Sequence, residues 1–412
     1  MSLPNEQVIQ RLIFVPFLLV CILAACQTIN RLPLEQGNPI PTIISPSEAV
    51  PTDMVPTEVG EAPDQGQPVP IPASTDATVD LPNQTETPLP AAPTSAPTQT
   101  PILRQLTTGG CCVQPFWSPD SQRVLFLDRP SPSEPAGIWS VGLEGGAPVL
   151  FTDRLGLYSG DMQWLAFPQN GETVVERIAD GQRWTIPSGG RAVSFSPDNQ
   201  FVAWTAGQTG PPFDTAQRQI WVSQVDGSQA RAILSIHGGG FSGWLPDGRL
   251  LVSGRLDPGE EQQGFWSYSL EDGEMIELAR AMRFRGASVS PGGTWLAYQI
   301  TFGTKTNGGE QAANGLWLVN TGTGEKIRLD LFGAYRWQDD RRLLVIPLDI
   351  IAPNHRIYQV DASTGAALPI TDPEITPFKV ANGDWTVSPD GRTIAFVSAE
   401  DYNIWILSIP AN

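Results

Sequence analysis

From residue 103 onward, apolar and polar residues alternate in short runs that recur in a fixed order. Trp385 to Ile409 shows the unit most plainly. It has a strand ending at Ser388, a Pro389-Asp390-Gly391 turn, an alternating strand Thr393 to Ser398, a short loop, and a strand carrying Ile404-Trp405. Alternation bounded by turn residues is the pattern of a half-buried strand. Related turns stand at Ser118-Pro119-Asp120, Ser196-Pro197-Asp198, Leu245-Pro246-Asp247-Gly248, Ser290-Pro291-Gly292-Gly293 and Gln338-Asp339-Asp340, with a degenerate copy at Phe167-Pro168-Gln169-Asn170-Gly171. Pro presets φ, Asp caps the turn, and Gly or Asn takes the left-handed position, so each motif closes a hairpin.

After each turn a strand is expected, as in Val124 to Leu127, Phe201 to Thr205 or Leu343 to Ile346. A loop of variable length then leads to an aliphatic-aromatic pair: Ile138-Trp139, Ile220-Trp221, Phe265-Trp266, Leu316-Trp317 and Ile357-Tyr358, with Trp184 in the degenerate unit. Second turns such as Asp226-Gly227 and Asp272-Gly273 lead into a fourth strand. Four antiparallel strands repeated in this way predict an all-β propeller of seven blades, or six if the degenerate unit is not a blade. The last unit stops after its third strand, and an unassigned strand, Leu103 to Thr108, precedes the first motif. That strand is expected to complete the last blade and close the ring, removing a sheet edge. The S-P-D-G turn with its I-W strand resembles the WD-like repeat of the TolB family and other bacterial propellers. The resemblance spans 102 to 412 and implies the fold without implying an activity.

The N-terminal hundred residues follow a different pattern. Residues 12 to 25 are apolar, follow Arg11 and end in Leu23-Ala24-Ala25-Cys26. The run is too short for a spanning helix, which needs about 20 apolar residues, and reads as a signal-peptide core. Its end resembles the lipobox of bacterial lipoprotein precursors. That resemblance implies cleavage after residue 25, lipidation of Cys26 and a lipid-anchored, extracytoplasmic protein of the cell envelope. Residues 26 to 101 hold sixteen Pro among Thr, Ser and acids, and no aromatic residue. They are expected to be a disordered, partly polyproline stalk, reaching at most about 230 Å at about 3.1 Å per residue.

Composition narrows the partners. The formal net charge is -18, and Lys occurs only at 305, 326 and 379. Nucleic acid is therefore excluded as a partner, because it requires clustered basic residues. No cofactor or metal set is expected, and the chain is read as a monomer. Repeated residues build the scaffold, so unrepeated residues on variable loops are the candidates for binding. Antiparallel order places the S-P-D turns and second turns on one face, and the longer loops (Asp128 to Gly137, Ala206 to Gln219, Gly254 to Gly264, Ile300 to Asn314, Pro347 to His355) on the other with the blade links. Function is expected on this loop face, around Cys111, Cys112, Gln114, His237, Arg283, Arg285, Tyr335 and His355. Cys111-Cys112 reads either as a vicinal disulfide or as two small buried residues. Arg283 and Arg285 flank Phe284 and suit an anionic ligand or a solvated loop. Gly240-Phe241-Ser242-Gly243-Trp244 lacks the last Gly of a nucleophile elbow. A non-catalytic module for a protein, peptide or glycan is the main expectation. A carbohydrate hydrolase or lyase using acids such as Asp214, Glu260, Glu261 or Glu310 is the alternative.

Overall fold

The computed structural model describes residues 101–110, 113–207, 214–300 and 314–409. Contacts divide the chain into two units, residues 27–96 being one; every described residue belongs to the other. The signal peptide, Cys26, the Pro-rich stalk, Cys111, Cys112 and Glu310 lie outside the described residues. Among the described residues, no helix is long and apolar enough to cross a membrane.

The chain folds as a β-propeller. After β1 (Leu103–Gln105) come β2 (Val113–Trp117), β3 (Arg123–Asp128), β4 (Gly137–Gly142) and β5 (Val149–Thr152), paired in that order in one blade. The second blade is β6 (Leu157–Tyr158), β7 (Trp164–Gln169), β8 (Glu172–Arg177) and β9 (Arg183–Ile186). Next comes one seven-stranded sheet: β10 (Ser194–Phe195), β11 (Phe201–Gly207), β12 (Gln217–Gln224), β13 (Arg231–Trp244), β14 (Leu250–Arg255), β15 (Gln263–Tyr268) and β16 (Met275–Ala281). Two further blades hold β17 (Phe284–Val289), β18 (Trp295–Ile300), β19 (Gly315–Asn320) and β20 (Lys326–Leu329), then β21 (Gly333–Trp337), β22 (Arg342–Pro347), β23 (Tyr358–Asp361) and β24 (Ala367–Pro369). The last comprises β25 (Val380–Val387), β26 (Thr393–Ser398), β27 (Ile404–Ser408) and, on its outer edge, β1.

Ring closure follows the expectation. β1 pairs antiparallel with β27, with Leu103 opposite Leu407 and Gln105 opposite Trp405. The pairing continues past the strand, as the Leu106 amide donates to the Ile404 carbonyl and the Ile404 amide to Thr107 Oγ1, each at 2.8 Å. Leu106 enters the core between the last and first blades with Trp117, Phe126 and Ile404.

The blade count is corrected. Five separate four-stranded blades form, and the remaining seven strands are continuous, because β13 runs through 14 residues without leaving the sheet. Its first half pairs with β12 and its second with β14, His237 facing both Gln217 and Arg255. Glycine makes this possible: a Cβ at Gly239 would overlap the Ser253 carbonyl, and Gly238 has φ +68°. The degenerate second unit is also corrected. Phe167 to Gly171 joins β7 to β8, and Trp184 lies on the fourth strand. The true first turn of that blade is Ser159-Gly160-Asp161, where Ser159 Oγ donates to Asp161 Oδ1 at 2.6 Å.

The S-P-D turns share one set of bonds. Ser118, Ser196 and Ser388 each donate through Oγ to the Asp two residues on, at 2.6 Å, and each Oγ accepts the amide five residues on. At Ser290, glycine stands where Asp is expected. Asp340 from the following blade fills the gap, accepting from Ser290 Oγ at 2.5 Å, the Gly292 amide at 2.9 Å and Thr294 Oγ1 at 2.5 Å. A side chain at residue 292 would collide with that carboxylate. Gln338 Nε2 to the Gly391 carbonyl and the Asp390 amide to Ser121 Oγ link further turns around the ring.

Candidate functional site

Three first strands carry a bulge with left-handed backbone. β2, β17 and β25 each slip register within the strand, at Gln114 (φ 53°), Gly286 (φ +61°) and Asn382-Gly383 (φ 53° and 76°). Left-handed backbone at Gln114 and Asn382 costs about 1–2 kcal/mol each, and such bulges re-aim side chains and free backbone groups. The Gln114 amide donates to Asp384, tying β2 to β25. Burial raises the Asp384 pKa, while that amide and the charge of Arg336 oppose the rise.

Arg336 stands out against the apolar first-strand positions. Its Nε donates to the Trp385 carbonyl at 3.2 Å, Nη1 donates to the Tyr335 carbonyl at 2.8 Å, and the guanidinium lies 5.3 Å from the Trp385 ring centroid. The side chain reaches solvent but is closely surrounded by protein, so desolvation lowers its pKa, with Tyr335 and Asp384 opposing. Among the described residues, no carboxylate lies within ion-pair distance of it. Tyr335 is buried and its hydroxyl donates to the Gly286 carbonyl, so it joins β21 to β17 as a strut. Arg285 sits opposite Gln299, whose Nε2 donates to the Gly333 carbonyl at 2.6 Å.

His237 lies where β13 crosses between its two partners, and its Nδ1 is 3.3 Å from the Thr215 carbonyl. Around it, arginines pin loop backbone: Arg255 donates to the carbonyls of Asp214 (2.5 Å) and Glu261 (3.2 Å), and Arg218 to that of Gly239 (3.0 Å). Asp214 faces Arg283 at 3.6 Å, and Glu260 faces Arg280 at 3.4 Å. Two of the acids named for glycosidic chemistry, Asp214 and Glu260, are thus each set against a guanidinium. Among the described residues, no three His, Cys, Asp or Glu side chains gather as a metal would require.

His355 is half-buried, its ring edge-on to Phe378 at 5.9 Å, and its Nδ1 accepts the Val380 amide at 3.3 Å. Burial first, and the charge of Lys379 second, lower its pKa. His355 ties the end of the loop from 348 to 357 to the segment before β25, its amide donating to the Phe378 carbonyl at 2.8 Å. The Asp349 carboxylate accepts the amides of Ile351 and Ala352 at 3.1 Å, and Lys379 Nζ donates to the Ala352 carbonyl at 3.2 Å. The loop is held, and it holds apolar side chains outward. Leu348 is 68%, Ile350 86% and Ile351 88% exposed. Phe332, whose carbonyl accepts the Leu348 amide, and Ile375 extend the apolar surface at the same end of this blade.

The expected site residues therefore separate. Gln114, Arg285 and Tyr335 lie on first strands, His237 lies within the seven-stranded sheet with Arg283 just beyond its last strand, and His355 follows an apolar loop. Missed from sequence were Arg336, Asp384 and the aliphatic tip. The last left a readable signal, since Leu348, Ile350 and Ile351 lie between Pro347 and Pro353 without strand alternation.

No family model and no curated protein matches the sequence. Among solved structures, the chain is similar to an oligogalacturonate lyase in complex with manganese (13% identity, TM-score 0.48, 75% of this chain and 91% of that one). It is also similar to an oligogalacturonate lyase from Vibrio parahaemolyticus (12%, 0.47, 76% and 97%). The β-propeller domain of the Trilobed protease from Pyrococcus furiosus, described as having an open velcro topology, is a third (13%, 0.41, 74% and 86%). At such identities the likeness concerns the propeller fold alone.

Proposed function

We propose that this chain is a non-catalytic recognition propeller, anchored outside the cytoplasm by a lipid on Cys26, that docks a protein partner on its loop face. The carrying observation is the aliphatic tip Leu348, Ile350 and Ile351, kept in water by a hydrogen-bonded loop that does not let it fold back. Monomeric proteins rarely present contiguous apolar surface without a partner. The bulged first strands, with Arg336 and Asp384, supply unrepeated polar groups to the same module. In this reading the seven-stranded sheet replaces two blades that share β13, giving seven sectors of the TolB-like kind.

The test is capture from the producing cell's envelope proteins by the full chain. The Ile350→Ser, Ile351→Ser pair should lose a specific partner that the parent protein retains. If both proteins capture the same set, the loop is not the docking surface. For the anchor, Cys26→Ala should release the protein from membranes and leave its precursor uncleaved; continued membrane attachment would refute the lipid.

A further inference from the structure

The turn face carries a cleft that the repeat does not require. Trp164, Arg177 and Trp184 project from one side of the second blade. The two indole centroids are 5.6 Å apart with planes tilted by 38°. The Arg177 guanidinium lies 5.8 Å from one ring and 5.5 Å from the other. Its orientation is set by Asp180, which accepts from Nε at 3.0 Å and Nη2 at 2.5 Å, and by Gln182 Oε1 at 2.8 Å. Opposite this aromatic wall stand Gln200, Gln224 and Asp226 of the adjoining sheet, enclosing about 350 Å³. Both indoles are half-buried, leaving part of each in the cleft.

We infer that this cleft binds a neutral pyranose at the end of, or within, a short saccharide. Charge selects among ligand classes. Arg177 already occupies the cation position over both indoles, which disfavours an added ammonium. Asp180 is held down to about 2 by the Arg177 hydrogen bond first and by the Gln182 amide, so the Arg177 charge is balanced. The Asp226 carboxylate is then the uncompensated charge on the lining, and it disfavours uronates and phosphates. What remains suits a neutral ring. Its C–H face lies on indole, and its hydroxyls meet carboxamides, which donate and accept, and a carboxylate, which accepts. The volume is at the lower end of the roughly 300–1,000 Å³ usual for small-molecule sites, which fits a chain end better than an extended polymer. Gln224 Oε1 is held by Ser228 Oγ at 3.0 Å, which orients that amide before a ligand arrives.

The experiment titrates the full chain, by tryptophan fluorescence and saturation-transfer NMR, with neutral tetrasaccharides of glucose, xylose and N-acetylglucosamine, and with trigalacturonate and choline. At least one neutral probe should bind saturably, and trigalacturonate and choline should bind at least tenfold more weakly. Trp184→Ala should weaken binding at least tenfold. Asp226→Asn and Gln224→Ala, which leave the aromatic wall intact, should weaken it severalfold with Tm unchanged. Ile350→Ser should not alter it, which separates this site from the loop-face surface. The inference is overturned if no neutral probe saturates, if the acidic or cationic probe binds best, or if the Asp226 and Gln224 variants bind like the parent.

Discussion

The two faces of the ring are built from the same strands, yet they solve different problems. On the turn face, one arrangement recurs: a Ser hydroxyl donating to an Asp two residues on, with the hydroxyl oxygen taking the amide that follows the turn. Where the sequence departs from it at Gly292, the next blade supplies Asp340 and the bonds are restored. Among the described residues, the loops of the other face share no such set of bonds. The loop after β22 projects three aliphatic side chains, the loop after β26 is a short turn around Asp401, and β13 dispenses with a link altogether. Repetition therefore marks stability, and the proposed docking surface lies where repetition stops. The Trp164–Trp184 cleft refines this rule, because it lies on the repeated face but in the blade whose first turn has Gly160 in place of Pro.

The strongest way to break the comparison is at the seam. Deleting Leu103 to Thr107 removes the β1 pairing and two buried residues, Leu106 and Thr107. The loss should exceed about 4 kcal/mol, or roughly 8–16 °C in Tm at about 2–4 °C per kcal/mol. A Tm within a few degrees of the parent would show that closure lies elsewhere.

Next in size is the borrowed carboxylate. Gly292→Asp should overpack against Asp340 and cost about 1–3 kcal/mol. Asp340→Ala should cost about 1–2 kcal/mol, because four donors lose their acceptor. Combined, the two changes rebuild the ordinary motif, so the double variant should be more stable than additivity predicts by about 0.5–3 kcal/mol. Strict additivity in chemical denaturation would deny the substitution of one Asp for another.

A smaller effect is expected from acid. His355 has its folded-state pKa lowered below the ordinary 6.5, so the neutral ring is the native form. Its contribution is complete above pH 6.5 and is lost as pH falls through the folded value, where the unfolded state binds the proton first. Tm should fall on the acid side of that window, and His355→Gln should flatten that part of the profile. The smallest change in stability belongs to the proposed docking surface: Ile350→Ser should shift unfolding by no more than about 0.5 kcal/mol. A larger loss would mean that this side chain packs against the fold.

Much of the fold was legible before any coordinates. Turn chemistry and two-residue alternation located the strands, and the unfinished last unit identified Leu103 onward as its partner. The second blade was misread because Gly160 replaces Pro in its turn, so the Phe167-Pro168 stretch drew attention one hairpin too late. The site was less legible. His237 lies within β13 beside the Thr215 carbonyl, and the Tyr335 hydroxyl bridges to Gly286. Arg336 and Asp384 sat unnoticed within strands, because Arg336 meets Trp385 only across blades and a register slip at Asn382 precedes Asp384, and neither leaves a local pattern.

What the chain determined by itself is the repeat, since strand period and turn geometry depend on residues within a few positions of one another. Tertiary structure decided which residues from different blades meet. Asp340 completes a turn that lies 50 residues earlier, and Arg177 stacks on a wall whose opposite side comes from the next sheet. The loop carrying Ile350 and Ile351 is anchored at Ala352 by Lys379, which follows the outermost strand of its blade. These pairings depend on how the sheets pack around the ring, and local propensity carries no information about that distance.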